Sequence, residues 1–183
     1  LSRQSMSNDQ CLQEISQRID QYAAQRDELA AEYDELYLNK AEIAAFIIDT
    51  KPELADREKL AELSDILSLE SVNVFDQSGE QVATNSPYTR FTVSDDPEDQ
   101  SYEFNKLLLG VDSLVQEAQP DDVSGDFHQY IGVTLRDEQD NPNGFVQISV
   151  IPSRLEVTEE NMEIGNILSG IRMGNGGVVF AVD

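Results

Sequence analysis

The sequence contains no tryptophan, one histidine, one cysteine, 12 basic residues and no long apolar run. With Cys11 alone, an internal disulfide is excluded, and the ordinary role of such a residue is that of a small helix position. His128 lies far from Cys11 in the chain, so nothing supports a cysteine-histidine nucleophile, and no Gly-x-Ser-x-Gly elbow occurs. No catalytic residue is expected. Against the 12 Lys and Arg stand 36 Asp and Glu, a formal charge of −24. Such a surface repels phosphate backbones over a screening length of about 8 Å, which argues against nucleic acid as a partner. Ala44 to Ile48, the longest apolar stretch in the first part of the chain, falls far short of the roughly 20 residues of a membrane span. The chain begins without a methionine and stops at Asp183 directly after an apolar run, so flanking membrane anchors are expected outside it.

What is present is ordered. Apolar residues make up 39% of the chain and recur periodically, so the acidity does not signal disorder. Leu12, Ile15, Ile19, Tyr22, Leu29, Tyr33, Leu36, Ile43 and Ile47 alternate in steps of three and four if Arg26 and Lys40 fill the gaps, a heptad seam. Neither Pro nor Gly interrupts residues 1–51, and the residues off the seam are mostly good helix formers. A helix of about forty residues spans roughly 60 Å, longer than one small domain needs. Either it pairs with a copy of itself, giving a homodimer, or it forms a spine along two modules.

Thr50-Lys51-Pro52-Glu53 reads as a capping box, and Leu60, Leu63 and Leu67 mark a shorter second helix. Short strands at 71–75 and 81–85 flank the turn Asp76-Gln77-Ser78-Gly79, and a further strand is expected at 90–93. Asp96-Pro97 opens a helix with Phe104, Leu107 and Leu108 on its apolar face and Gly110 as its stop. A strand follows at 113–118, then the two clearest ones, 127–136 and 145–151, around a turn at 137–144. Pro152-Ser153 starts a helix carrying Ile164, Ile167, Leu168 and Ile171, and the apolar run Val178 to Val182 opens a new strand. The organisation is thus α+β. Residues 1–50 are the long helix, 51–152 a small sheet module, 153–177 a connecting helix with a Gly-rich linker, and 178–183 the first strand of a second module. Because the chain stops directly after that run, a continuing domain is expected beyond it.

Strand alternation separates two faces. Along 127–136, Phe127, Ile131, Val133 and Leu135 point one way and His128, Tyr130, Gly132, Thr134 and Arg136 the other. On the partner, Val146, Ile148 and Val150 oppose Phe145, Gln147 and Ser149. A small-molecule pocket uses aromatic walls and a few oriented polar groups. Tyr88, Arg90, His128, Tyr130 and Gln147 fit that pattern and are the candidate ligand-binding residues; an ordinary half-exposed sheet face is an equal reading for each. Arg90 is chosen to grip a carboxylate, because its planar fork donates two parallel hydrogen bonds.

Neither a metal nor a cofactor is expected. Gly174-Asn175-Gly176-Gly177 follows a helix and precedes a strand, the reverse of a phosphate-binding loop. Gln139 to Val150 imitates a calcium loop but lacks an acid at its first and twelfth positions, so a hairpin turn explains it better. Glu159-Glu160 reads as solvated helix surface.

Taken together, the long amphipathic helix, the hairpin Val74-Phe75-Asp76-Gln77-Ser78-Gly79, Tyr130-Ile131-Gly132-Val133, the strand Gly144-Phe145-Val146-Gln147-Ile148 and the closing 171–183 segment make the chain resemble the extracytoplasmic double Cache sensors. Their modules share a PAS-like fold. The resemblance implies a long helix packed on an antiparallel sheet module, with a second, membrane-proximal module beginning at the C-terminal end. It further implies a ligand-sensing role in a transmembrane receptor with a histidine kinase, chemotaxis, cyclic-dinucleotide or phosphatase output. The aromatic and arginine pattern of the amino-acid-binding subgroup is not recognisable, since Tyr88-Thr89-Arg90-Phe91 is all the chain offers; this argues against an amino-acid ligand. The rival reading is a dimerisation or adaptor domain that binds no ligand. A hydrolase using paired carboxylates ranks last.

Overall fold

The computed structural model describes residues 8–121 and 125–152. The first helix, α1, spans Asn8–Thr50, as the absence of Gly and Pro demands. It is shared between two compact units, one holding the chain through Glu32 and the other formed by Tyr33–Pro152. In the first unit an Arg18 to Glu14 ion pair at 3.0 Å links successive turns, and the seam residues Leu12 and Ile19 are exposed. Among the described residues no helix is long and apolar enough to cross a membrane. The connector expected at 153–177 and the strand at 178–183, with Glu159-Glu160 and the glycines at 174–177, lie outside the described residues.

The second unit is a helix-covered sheet. After α1 come α2 (Arg57–Leu67), β1 (Ser71–Phe75), β2 (Gln81–Thr84), a short α3 (Asn105–Leu108), β3 (Ser113–Val115), β4 (Gln119–Pro120), β5 (Phe127–Arg136) and β6 (Pro142–Val150). The strands form one antiparallel sheet in the order β2-β1-β6-β5-β3, with β4 pairing the start of β5. Both long strands of the β5–β6 hairpin lie where alternation places them. Asp137 holds their turn, accepting from the backbone N–H of Gln139 and of Asn141 at 2.9 and 2.8 Å. These bonds keep its carboxyl below the usual carboxylate range. The strand itself begins at Pro142, earlier than expected, because pairing with Arg136 extends it.

One face of the sheet carries the main core. Val72, Val74, Ile131, Val146, Ile148 and Val150 pack against Leu60 and Leu63 of α2 and against Ala41, Ala44, Ala45 and Ile48 of α1. Small residues on α1 let its backbone lie close to the sheet. The packed stripe is not the heptad seam: Leu36 and Ile43 remain 46% and 47% exposed, and Phe46 beside them 70%.

Local corrections to the sequence reading have plain causes. Thr50-Lys51-Pro52-Glu53 is no capping box: α1 runs through Thr50, Pro52–Leu54 is a single 3-10 turn, and Lys51 makes no side-chain cap. The cap of α2 is Asp56, whose carboxylate accepts from the N–H groups of Glu58 and Lys59. Residues 90–93 form no strand, since Arg90 adopts a left-handed φ of 65° and only Thr92 bridges, to Glu80. The helix expected from Asp96 begins later, as a 3-10 turn at Gln100–Phe104 capped by Asp99, and passes into α3. Gly110, with φ 98°, stops it as expected. The strand expected at 113–118 ends at Val115.

Candidate functional site

The opposite face of the sheet is built in rows set by register. Ser71 pairs with Ser149 and Ser149 with Tyr130; Asn73 pairs with Gln147 and Gln147 with Gly132; Phe75 pairs with Phe145 and Phe145 with Thr134. The first two rows are polar and the third aromatic. In the third row Phe75 and Phe145 stack at 4.5 Å, and Phe104, carried by the turn before α3, stacks on Phe145 at 5.9 Å. With Val93 and Leu107 these rings form a second, smaller core. Gly132 makes room for it, because a Cβ there would stand 2.5 Å from Leu107 Cδ1 and 3.0 Å from Phe104 Cε1.

Asn73 knits the polar rows together. Its Oδ1 accepts from Thr84 Oγ1 at 2.6 Å and Gln81 Nε2 at 3.3 Å, while its Nδ2 donates to Gln147 Oε1 at 3.1 Å and Ser71 Oγ at 3.4 Å. The hydroxyls of Ser71 and Ser149 lie 2.7 Å apart. Every hydrogen-bonding position of the Asn73 amide is thus used, which holds β2, β1 and β6 at one spacing.

Between these rows and the segment covering the aromatic core lies a cavity of about 150 Å³. A void of roughly that volume takes a benzene-sized guest. Its floor is Ser71, Asn73 and Gln147, with Gln81 beside them, and its walls are Phe75, Phe91, Phe104, Tyr130 and the half-exposed Tyr88. Ser86, Asp99, Gln100, Ser101, Gln116 and Asp121 complete the lining. Tyr130 Oη donates to Asp121 Oδ2 at 2.6 Å. Burial first, and that bond second, push its phenol well above the ordinary value. Asp99 accepts from the backbone N–H and the hydroxyl of Ser101, and the backbone bond chiefly holds its carboxyl below the usual range.

Of the residues chosen from sequence, Tyr88, Tyr130 and Gln147 line the cavity. Arg90 and His128 are not among its described lining. Arg90 sits exposed in the loop after Tyr88. His128 is buried beside Tyr130, rings 6.0 Å apart, with its Nδ1 3.1 Å from the Asp126 carbonyl oxygen. Sequence reasoning missed Asn73, Gln116, Asp99 and Asp121. Asn73 was within reach, because pairing the first strand with the last aligns it with Gln147. The two aspartates and Gln116 lie at loop and strand ends, where periodicity carries no signal.

No family model matches the sequence, and no curated protein matches it. Solved structures do. The ligand-binding domain of the Campylobacter jejuni chemoreceptor Tlp3, in complex with 4-methylisoleucine, superposes with a TM-score of 0.55 at 10% identity, covering 81% of this chain and 62% of that one. The extracellular domain of the putative histidine kinase rpHK1S-Z16 gives 0.54 at 15% identity over 78% of this chain and 61% of that one. The sensor domain of the Vibrio cholerae histidine kinase DctB gives 0.52 at 14% identity over 77% and 61%. The chain therefore spans less than two thirds of the length of these domains. Its helix-backed antiparallel sheet has the PAS-like, Cache-type fold of the extracellular sensor domains of chemoreceptors and histidine kinases.

Proposed function

We propose that this chain is the extracytoplasmic small-molecule sensing part of a membrane-bound signalling receptor, with the sheet cavity as its ligand site. The observation that carries this reading is the cavity itself. On a sheet face where alternation alone would leave a second core or a solvated surface, buried polar rows and aromatic walls surround an open volume of about 150 Å³. Tyr88, Tyr130 and Gln147 are contact residues; His128 packs its ring beside that of Tyr130, and Arg90 stands by at the loop. Similar domains support the reading, since Tlp3 was solved with 4-methylisoleucine and with L-valine. In this reading the membrane anchors lie in flanking segments.

The test is a thermal-shift screen of the domain against carboxylates, amines, sugars and nucleobases. A site ligand at a hundredfold its dissociation constant stabilises the fold by about 2.7 kcal/mol. A screen without any hit removes the sensor reading.

The second reading, pairing through α1, is favoured by the exposed apolar stripe Leu36, Ile43 and Phe46. We place a homodimer there, compatible with sensing. If the cavity proves empty of function, pairing alone becomes the role.

A further inference from the structure

We propose that the cavity takes a small uncharged ring carrying a carbonyl oxygen, as in a cyclic amide, and that this oxygen accepts from the side-chain amide of Gln147. The proposal rests on the cavity being the ligand site and names the class of ligand it takes.

One backbone group fixes the direction of three side-chain amides along the cavity floor. The Gln81 N–H donates to the Phe91 carbonyl at 2.8 Å, and the Phe91 N–H returns a bond of 3.4 Å to the Gln81 side chain. A backbone N–H only donates, so Gln81 Oε1 must face Phe91 and Gln81 Nε2 must face Asn73. Asn73 therefore turns its Oδ1 toward Gln81 Nε2 at 3.3 Å, and the Thr84 hydroxyl adds a second bond to that oxygen at 2.6 Å. Its Nδ2 is left to face Gln147, whose Oε1 accepts at 3.1 Å. Gln147 Nε2 is thereby turned away from Asn73, and neither of its N–H groups is used among the described residues.

Gln147 lines the cavity and is only 8% exposed. Its Nε2 is nevertheless not sealed in protein, unlike the unpaired amide atoms of Gln116 and Gln129. The space left for it is the cavity. A donor on a side chain more than nine-tenths buried calls for an acceptor from the guest.

The chemistry of that donor narrows the guest. An ammonium group would set N–H against N–H at this point. A carboxylate brings an acceptor, but one neutral amide replaces little of the water that a charged group gives up on burial. A carbonyl oxygen is served by a single such donor. Phe75, Phe91 and Phe104 line the same volume and suit a flat apolar body, and about 150 Å³ holds one six-membered ring.

Calorimetry on the whole chain with 2-piperidone, piperidinium and valerate, three probes of similar size and different charge, tests the proposal. 2-Piperidone is expected to bind at least tenfold more tightly than either ion. Gln147→Met keeps the length of the side chain and removes the donor, and is expected to weaken 2-piperidone at least tenfold. Asn73→Asp presents only acceptors, so the Gln147 amide turns over to donate to it and shows its oxygen to the guest; the same tenfold loss is expected. Circular dichroism checks the folding of both variants. Equal or tighter binding of piperidinium or valerate overturns the assignment while leaving the sensor reading standing. Unchanged 2-piperidone binding in either folded variant also overturns it, because the donor is then not Gln147 Nε2. Binding of none of the three probes overturns it as well, and the broader screen then decides separately whether the cavity takes any ligand. Should both variants fail to fold, the comparison of the three probes on the native chain decides alone.

Discussion

Gln129 Nε2 donates to Asp34 Oδ1 at 2.6 Å across 95 residues of sequence, tying β5 to the middle of α1. The next residue on the strand, Tyr130, points to the opposite face and lines the cavity. Two adjacent residues of one strand thus touch the helix on one side and the proposed ligand on the other. In a receptor, a guest that shifts Tyr130 acts directly on the strand that grips α1.

Removing Asp34 exposes the cost of that grip. Gln129 is 3% exposed, and its Oε1 already has no partner among the described residues. Asp34→Ala leaves its Nε2 unpaired too, and a loss of about 1–3 kcal/mol is expected in urea unfolding. The double replacement Asp34→Leu with Gln129→Leu, which removes both polar groups, should recover much of it.

Gly132 is the point of closest approach between sheet and α3. Gly132→Ala should destabilise by about 1–3 kcal/mol through overpacking against Leu107 and Phe104, although alanine suits a strand better than glycine does. Adding Leu107→Val, which shortens the clashing side chain, should return part of the loss in the same denaturant assay.

Tyr130 sets a limit at alkaline pH. Its phenol is raised above the ordinary value of 10.0, so between that value and the folded one the unfolded chain has lost the proton while the folded chain keeps it. Folding then binds more protons than unfolding, and stability must fall as pH rises from about 10 upward. Ultraviolet difference titration should find one tyrosine ionising after the others, and Tyr130→Phe should remove that step and flatten the alkaline fall.

For α1 the expected outcome concerns assembly. Leu36→Asp with Ile43→Asp should convert a dimer to monomers in sedimentation while leaving the monomer's thermal midpoint nearly unchanged, because both side chains are already exposed. A wild-type chain that sediments as a monomer sinks the pairing assignment.

Local pattern carried much of this fold. Period-two alternation places Val146, Ile148 and Val150 opposite Phe145, Gln147 and Ser149, and the unbroken run of helix formers yields α1, because both signals depend only on neighbours along the chain. Turn chemistry was legible at Gly79 and Gly110 for the same reason. It failed at Thr50-Lys51-Pro52-Glu53, which opens only a single 3-10 turn, because the carboxylate of Asp56 caps α2 instead.

What lay beyond the sequence is everything decided by contacts between distant segments. Spacing announced a seam at Leu36 and Ile43, but the sheet chose Ala41, Ala44, Ala45 and Ile48, since close packing favours small side chains over a heptad rhythm. Arg90 looked like the anion grip by its chemistry, yet a left-handed backbone in an exposed loop leaves it outside the cavity lining. Asp99, Gln116 and Asp121 reach the cavity from three separate segments, and the polar wall they form exists only once register and loop closure have brought them together.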